Sequence, residues 1–198
     1  MATRDPGRAF DERTALVVVD VQNDFADPGG SLYVAGGEQV VEPINRLARE
    51  ARAAGAFVVY TQDWHPHETP HFVDGGGTWP RHCVQQTWGA RFVDGLAVDG
   101  PVVQKGTGGE DGYSGFSVRD PETGSAHATA LDRMLKERAI DRVVVVGIAL
   151  DVCVKETALD ARRHGYATVV LADATRPVDP GRGAAVLAEL RQAGVEIA

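Results

Sequence analysis

The alternation of short β-branched runs with longer amphipathic stretches constrains the fold of this chain more than any other feature. Valine-rich runs without polar alternation are typical of strands buried on both faces, and stretches of helical periodicity connect them here. This order of elements predicts a parallel sheet covered by helices. The strand candidates are residues 15–19, 56–61, 102–105, 142–147, 168–171 and 195–197, and the helix candidates are residues 37–54, 127–138, 152–164 and 181–193.

We therefore expect an α/β fold, a three-layer sandwich with a six-stranded, mostly parallel sheet flanked by helices and joined by right-handed crossovers. The 198 residues suit one domain, 1–198, because two halves would each lack a sufficient core. Gly55, Gly165 and Gly194 each follow a helix candidate, where a left-handed glycine would end the helix. Residues 62–100 and 106–124 interrupt the rhythm, and long irregular connections in a compact domain are frequently functional.

Composition argues against several kinds of partner. The formal net charge is −8, and the basic residues are scattered rather than clustered, so we expect no nucleic-acid partner. No apolar stretch approaches the roughly 20 residues of a membrane span, and residues 1–14 are too polar for a secretory signal. Two cysteines do not make a disulfide framework. We expect a cytoplasmic protein with free thiols and no membrane partner.

Four reactive side chains follow different strand candidates. Asp20 ends the first strand, Asp63 follows the second, Lys105 ends the third, and Cys153 comes just after the fourth. Ligands of open α/β sheets bind outside the carboxyl ends of the strands. These side chains are therefore expected to meet at one edge of the sheet.

Cys153 is the candidate nucleophile. It lies at the first turn of a predicted helix, where the helix dipole and free N–H groups should lower the pKa of the thiol and could face an oxyanion. Asp20 could take the thiol proton, while Lys105 stabilises the charges. The alternatives are a buried cysteine that acts as a small hydrophobe and a structural Asp20–Lys105 ion pair.

The irregular stretch after the second strand contains a candidate metal site. Asp63 and His65 are two residues apart at a strand end and project similarly, and His71 and His82 can fold back toward them. Three imidazoles and a carboxylate suit Zn²⁺, Fe²⁺ or Mn²⁺. His67 is left out because its neighbours indicate exposure. The alternative is a set of loop histidines without a metal.

Taken in order, these motifs resemble the nicotinamidases of the isochorismatase-like cysteine hydrolase superfamily, over nearly the whole chain from about residue 15. They are Asp20-Val-Gln-Asn-Asp24-Phe25, Asp63-Trp-His65 with His71-Phe72, Trp79-Pro-Arg-His82-Cys83, Lys105-Gly with Tyr113-Ser-Gly-Phe116, and Gly147-Ile-Ala-Leu-Asp151-Val-Cys153-Val. The resemblance implies a catalytic triad of Asp20, Lys105 and Cys153. It also implies a metal bound by Asp63, His65 and His82, with His71 as a further ligand.

The resemblance implies further details of the site. A cis peptide between Ile148 and Ala149 would turn the N–H groups of Ala149 and Cys153 toward an oxyanion. The aromatic residues Phe25, Trp79 and Tyr113 would border a pyridine ring, although core packing is the alternative interpretation and the preferred one for Phe116. The chain departs from many relatives at Leu150 and in the segment Gly108, Gly109, Glu110 and Asp111.

The function that follows from the resemblance is metal-dependent hydrolysis of nicotinamide to nicotinic acid and ammonia through a thioester. Lys105 would keep the pKa of Asp20 low between steps. The substrate partner is a small-molecule amide, and both monomers and homo-oligomers occur among relatives. The alternatives are an amidase for a carbamoyl or ureido substrate and a non-enzymatic metal- or pyridine-binding module. A nucleotide-binding fold is disfavoured because residues 106–109 lack the Gly-x-Gly-x-x-Gly spacing.

Overall fold

The computed structural model describes residues 9–198; residues 1–8, which begin the polar segment and the expected domain, lie outside the described residues. Six parallel strands form the main sheet in the order β3-β2-β1-β6-β7-β8. The strands are β1 (Thr14–Val19), β2 (Phe57–Asp63), β3 (Val102–Lys105), β4 (Ser117–Arg119), β5 (Ala126–Ala128), β6 (Arg142–Ile148), β7 (Ala167–Arg176) and β8 (Glu196–Ile197). All six strands expected from the sequence are present, and the α/β sandwich is confirmed.

Within the described part of the chain, five α-helices accompany the sheet, and three of the expected long helices begin with a turn of different geometry. The helices are α1 (Asn23–Ala26), α2 (Val41–Ala53), α3 (Leu131–Lys136), α4 (Lys155–Arg163) and α5 (Gly183–Gln192). Gly37–Val40 and Pro180–Arg182 are 3₁₀ turns before α2 and α5, and Leu150–Val154 is a π-helical turn before α4. Among residues 9–198, no helix has the length and apolar character needed to cross a bilayer.

The alternation of side chains along the strands divides the core into two layers. In β1, Leu16 and Val18 pack on the face covered by α2. Ala15, Val17 and Val19 pack on the opposite face, with α3, α4 and α5. Both faces of β1 are therefore buried, which explains why its sequence is continuously apolar.

The expectation of one helix over residues 127–138 was wrong at its start. Residues Ala126–Ala128 instead form β5, which pairs antiparallel with β4. The helix begins only at Leu131, whose N–H donates to the hydroxyl of Thr129 at 3.1 Å. The same hydroxyl donates to the carbonyl of Gly115 at 2.6 Å. Thr129 thus anchors the end of the hairpin, and the tertiary pairing overrides the local helical pattern.

The three glycines expected to end helices have the required backbone. Gly55, Gly165 and Gly194 have φ angles of 80°, 91° and 83°, all in the left-handed region. These positions fix the ends of α2, α4 and α5, because the chain reverses there before it enters β2, β7 and β8.

The order of the strands reverses direction between β1 and β6. From β1, the chain builds outward through β2 and β3 on one side, and through β6, β7 and β8 on the other. Ligands of such sheets bind at this switch point, outside the carboxyl ends. Gly147 lies there beside β1 with a φ of 113°, and a Cβ atom at this position would lie 2.1 Å from the carbonyl oxygen of Val19. Only glycine lets the two strands approach this closely.

Candidate active site

The structure brings Asp20, Lys105 and Cys153 together at the switch point. Asp20 follows β1 with a φ of 48°, Lys105 ends β3, and Cys153 lies in the π-helical turn after β6. The Nζ atom of Lys105 is 2.7 Å from Oδ2 of Asp20 and 3.8 Å from Sγ of Cys153. All three side chains are buried. The sequence therefore identified the three residues that meet at the sheet edge.

Lys105 lies between two carboxylates and a carbonyl. Its Nζ atom is 3.1 Å from Oδ1 of Asp63 and also donates to the carbonyl of Gly112. Thr61 donates its hydroxyl to Oδ1 of Asp20 at 2.7 Å. Neither Thr61 nor Gly112 was predicted from the sequence, although Thr61 lies two residues before Asp63 on β2 and therefore on the same face of the strand.

The expectation of a lowered pKa for Cys153 was wrong. Burial raises the pKa of its thiol well above the ordinary value, and Lys105 opposes this shift. The charges of Asp20 and Asp63 and a hydrogen bond to Asp20 raise the pKa further. Desolvation and two neighbouring carboxylates therefore outweigh the start of the helix.

The pKa of the Asp20 carboxyl and the pKa of the Lys105 amine are both raised. Burial raises the pKa of Asp20 and Asp63 adds to this shift, although Lys105 and Thr61 oppose it. Lys105 therefore lowers the pKa of Asp20, in the expected direction, but does not keep it low because burial has the larger effect. Burial lowers the pKa of Lys105, but Asp20 and Asp63 overcome this effect and raise it well above its usual range. The group thus combines a permanent cation with a carboxyl of raised proton affinity.

The three histidines expected to bind a metal form a buried cluster. Ligand nitrogens of His65, His71 and His82 all lie within 4.8 Å of one another. Oδ2 of Asp63 is 3.1 Å from Nε2 of His65 and 3.4 Å from Nε2 of His82. His67, left out of the expected set, is exposed and contacts Arg81.

The donor atoms of this cluster fit a divalent metal ion. Nδ1 of His65 is buried and has no hydrogen-bond partner among the residues that the structure describes. Nδ1 of His82 is 2.7 Å from the carbonyl oxygen of Pro80, which leaves Nε2 free to coordinate. Burial raises the pKa of Asp63, but Lys105 and His65 overcome this and hold it well below its usual range. An anionic carboxylate and three close imidazoles are a set that a cation would satisfy.

The surrounding residues fix the metal-site ligands closely. The side chain of Gln22 accepts a hydrogen bond from the N–H of Asp63 at 2.8 Å and donates to its carbonyl at 2.7 Å. A Cβ atom on Gly106, whose φ is 72°, would lie 2.5 Å from Cε1 of His65. This role of Gln22 was not predicted from the sequence, although the residue belongs to the first motif of the chain.

A cavity of about 420 Å³, counted out to its open mouth, lies over Cys153 and the metal-site cluster. Phe25, Trp79 and Tyr113 line it, and Nε1 of Trp79 donates to the hydroxyl of Tyr113 at 2.9 Å. Phe116 is instead buried in the core, as expected.

The lining also includes residues that the sequence did not indicate. Leu32, Val34 and Val178 contribute apolar surface, and Val178 comes from the connection after β7. The expected cis peptide between Ile148 and Ala149 is present, and Ala149 lines the cavity beside Cys153. The cavity is thus an apolar pocket with a thiol and a cluster of metal-ligating groups at its base.

Comparisons with known proteins agree with this geometry. A family model described as the isochorismatase domain matches residues 14–198. The nicotinamidase/pyrazinamidase of Mycobacterium tuberculosis is 44% identical over 191 residues, which cover 92% of this chain and 97% of the relative.

Two solved structures are similar over nearly their whole length. The pyrazinamidase of Pyrococcus horikoshii in complex with zinc aligns with a TM-score of 0.84 and 38% identity, over 94% of this chain and 98% of that one. The PnC1 protein of L. infantum in complex with nicotinate aligns with a TM-score of 0.87 and 39% identity, over 96% and 94%.

Proposed function

Because the chain belongs to the isochorismatase family, we propose that it is a metal-dependent cysteine amidase that hydrolyses nicotinamide to nicotinic acid and ammonia. The observation that carries this proposal is the placement of the buried Asp20–Lys105–Cys153 group beside the histidine cluster, at the base of an aromatic cavity. Relatives that act on nicotinamide and bind zinc or nicotinate support it.

Binding places the amide of the substrate near sulfur. The pyridine ring enters between the aromatic side chains of Phe25, Trp79 and Tyr113. Asp63, His65, His71 and His82 would hold a divalent ion, and Zn²⁺, Fe²⁺ and Mn²⁺ all suit these ligands. When bound, such an ion would bind the ring nitrogen and so orient the ring. The residues of the cavity then hold the carbonyl carbon against Sγ of Cys153.

Acylation begins with a proton transfer. The thiol of Cys153 gives its proton to the carboxylate of Asp20, and the sulfur forms a bond to the carbonyl carbon. The N–H groups of Ala149 and Cys153 bind the oxyanion, and each such donor typically lowers the barrier by about 3 kcal/mol. Asp20 then protonates the leaving nitrogen, and the C–N bond breaks. Ammonia is released, and a thioester between the substrate carbonyl and Cys153 remains.

Deacylation uses the same carboxylate. Asp20 removes a proton from a water molecule, which attacks the thioester carbon. The C–S bond breaks, nicotinic acid leaves, and the proton returns from Asp20 to sulfur. Lys105 stays protonated throughout, because Asp20 and Asp63 raise its pKa against the effect of burial, and its charge stabilises each anion in turn.

The chemistry defines the expected setting of the enzyme. Its substrate is a small amide of pyridine nucleotide salvage, and we propose a cytoplasmic enzyme with neither a nucleic-acid nor a membrane partner. The site is compatible with a monomer and with a homo-oligomer, because every proposed catalytic and metal-binding residue comes from one chain.

An ammonia-release assay tests the proposed function. Nicotinamide, benzamide and a carbamoyl amide should be compared, each with and without a chelator. We expect nicotinamide to be the best substrate, benzamide to be poor because it has no ring nitrogen, and the chelator to abolish turnover until a divalent metal is restored. Faster release from the carbamoyl amide would support the ureido alternative. Binding of nicotinamide without ammonia release would support the non-enzymatic one.

A further inference from the structure

The loop that follows β3 contacts the metal-site cluster through Asp111. Oδ1 of Asp111 lies 2.5 Å from Nδ1 of His71. The side chain of His71 is 3% exposed and that of Asp111 is 19% exposed, so the pair is largely shielded from water. Among the described residues, neither His65 nor His82 has a carboxylate at its Nδ1 atom, so His71 differs from the other two histidines of the cluster.

The backbone of Asp111 is held in place from the far side. Its N–H donates to the carbonyl of Arg119 at 2.7 Å, and its carbonyl accepts the N–H of Arg119 at 3.0 Å. Arg119 is the last residue of β4, so the hairpin β4–β5 extends to Asp111 by one antiparallel pair. The hairpin therefore fixes the position from which the carboxylate reaches His71.

A second link joins the same two loops. The hydroxyl of Thr69 donates to the carbonyl of Gly109 at 2.8 Å and accepts the N–H of His71 at 3.1 Å. Gly109 has a φ of 103°, which favours glycine at this turn. Two contacts therefore link the loop that carries Asp111 to the loop that carries His71: the Asp111–His71 pair and the hydrogen bond from Thr69 to Gly109.

We propose that Asp111 is a positioning residue that holds His71 as a permanent ligand of the metal ion. The inference rests on the metal site of the proposed function. When Asp111 accepts the Nδ1 proton of His71, the tautomer is fixed and Nε2 presents its lone pair to the cluster. The carboxylate also makes the imidazole a stronger base, as such partners of metal-bound histidines generally do.

Substitution of Asp111 by asparagine tests the proposal directly. The measurement is the dissociation constant of Zn²⁺ from the full chain, obtained by competition with a chromophoric chelator after the metal is removed. We expect Asp111→Asn to weaken Zn²⁺ binding by about 10- to 100-fold, the usual effect of altering such a partner, because a neutral amide oxygen is a weaker acceptor than a carboxylate and leaves the imidazole less basic. Thermal unfolding of the metal-free variant should match that of the metal-free parent chain, since the backbone pairing with Arg119 remains.

Glu110 provides a matched control one residue earlier. Its carboxylate accepts the N–H of Gly108 at 2.8 Å rather than contacting an imidazole. Glu110→Gln removes the same charge from the same loop and should leave the Zn²⁺ dissociation constant within about twofold of the parent value. An equal loss in both variants would show a general charge effect and would overturn the proposal.

A double substitution tests whether Asp111 acts through His71. His71→Ala should weaken Zn²⁺ binding by itself. Adding Asp111→Asn to that variant should then change the dissociation constant by about twofold or less, because the partner it orients is gone. An undiminished effect in the His71→Ala background would contradict the proposal, as would failure of the parent chain to bind Zn²⁺.

The metal measurement separates this inference from the proposed function. A chain that binds Zn²⁺ in an Asp111-dependent way, yet releases no ammonia from nicotinamide, would refute the proposed substrate and leave the positioning role in place. A chain that hydrolyses nicotinamide while Asp111→Asn retains full Zn²⁺ affinity would refute the positioning role alone.

Discussion

At the scale of single residues, the sulfur of Cys153 keeps its proton because it is buried beside two carboxylates. Such a thiol reacts only when a base within reach accepts that proton. Asp20 is suited to this task because burial raises the pKa of its carboxyl, so it holds a proton more strongly than an exposed aspartate. Nucleophile and base are thus matched by their shared burial, and the cysteine is protected from unspecific reaction between turnovers.

Replacing the sulfur should remove catalysis and little else. Cys153→Ala is expected to lower kcat for ammonia release by about 10⁴-fold or more, since loss of a nucleophile removes the covalent route. The metal content and the melting temperature should stay near those of the parent chain. Cys83 is the matched control, because it is the other buried cysteine and does not line the cavity. Retained turnover in Cys153→Ala would exclude the thioester.

The role of Asp20 as a base predicts a different kinetic defect. Asp20→Asn keeps the size of the side chain and should lower the rate of the first ammonia release by about 10²- to 10⁴-fold. Thr61→Val removes only the hydrogen bond to Oδ1 of Asp20 and should cost about tenfold or less. Rapid-quench measurement of the first turnover distinguishes these effects. A normal first turnover in Asp20→Asn would assign the base elsewhere.

At the scale of elements, the end of β3 and the loop after it contact both the catalytic group and the metal-site ligands. Lys105 reaches Asp20 and Asp63 from the end of the strand, and Gly106 passes directly beside His65. Gly112 then comes close to Asp63, where a Cβ atom would lie 2.7 Å from Oδ1. The loop can take this path only with glycine at the points of contact.

Gly106→Ala should therefore disturb the metal site. The added methyl group would lie 2.5 Å from the ring of His65, on a backbone whose φ of 72° disfavours alanine. We expect a loss of metal affinity of at least about tenfold, comparable to the loss of a residue that orients a ligand. Gly108→Ala is the control in the same loop, since its methyl group would meet only the flexible end of Glu110. Equal metal affinity in the two variants would contradict this role of Gly106.

Much of the fold and of the site could be predicted from the sequence because each depended on a local pattern. The bounds of β3 were predicted as observed, and Asp20, Lys105 and Cys153 could be placed because strand ends share an edge. The hairpin β4–β5 was missed because its pairing depends on contacts between segments, against a local preference for helix. The pKa of Cys153 was predicted in the wrong direction because burial by distant residues is not a property of the sequence around it.

At the scale of the whole molecule, several carboxyl groups link stability to pH. Burial raises the pKa of Asp160, but hydrogen bonds from Ser114 and Ser117 and the charge of Arg163 lower it below the ordinary value. Burial also raises the pKa of Asp132, but hydrogen bonds from Lys136 and Tyr166 lower it below the ordinary value. A carboxyl whose pKa is lower in the folded state contributes stability above its unfolded pKa, about 3.9, and this contribution is lost as pH falls through the folded value.

The free energy of unfolding should therefore decrease as the pH is lowered from about 5 to about 3. Asp160→Asn should lower stability by about 1 kcal/mol at pH 7, through weakened hydrogen bonds, and the difference from the parent chain should shrink at pH 3. Urea unfolding at several pH values measures both effects. Asp94→Asn, at an exposed position, is the control. A difference that stays constant with pH would contradict the linkage to Asp160.

The reversal of strand order between β1 and β6 has a consequence for how activity arises during refolding. Asp63 and Lys105 end β2 and β3, while Asp20 and Cys153 come after β1 and β6, and these four strands are adjacent only in the assembled sheet. A partly assembled chain that lacks any one of these strands holds an incomplete set of reacting groups. Recovery of ammonia release after dilution from denaturant should consequently lag behind recovery of helical circular dichroism, and its time course would report the moment at which the last of the four strands joins its neighbours.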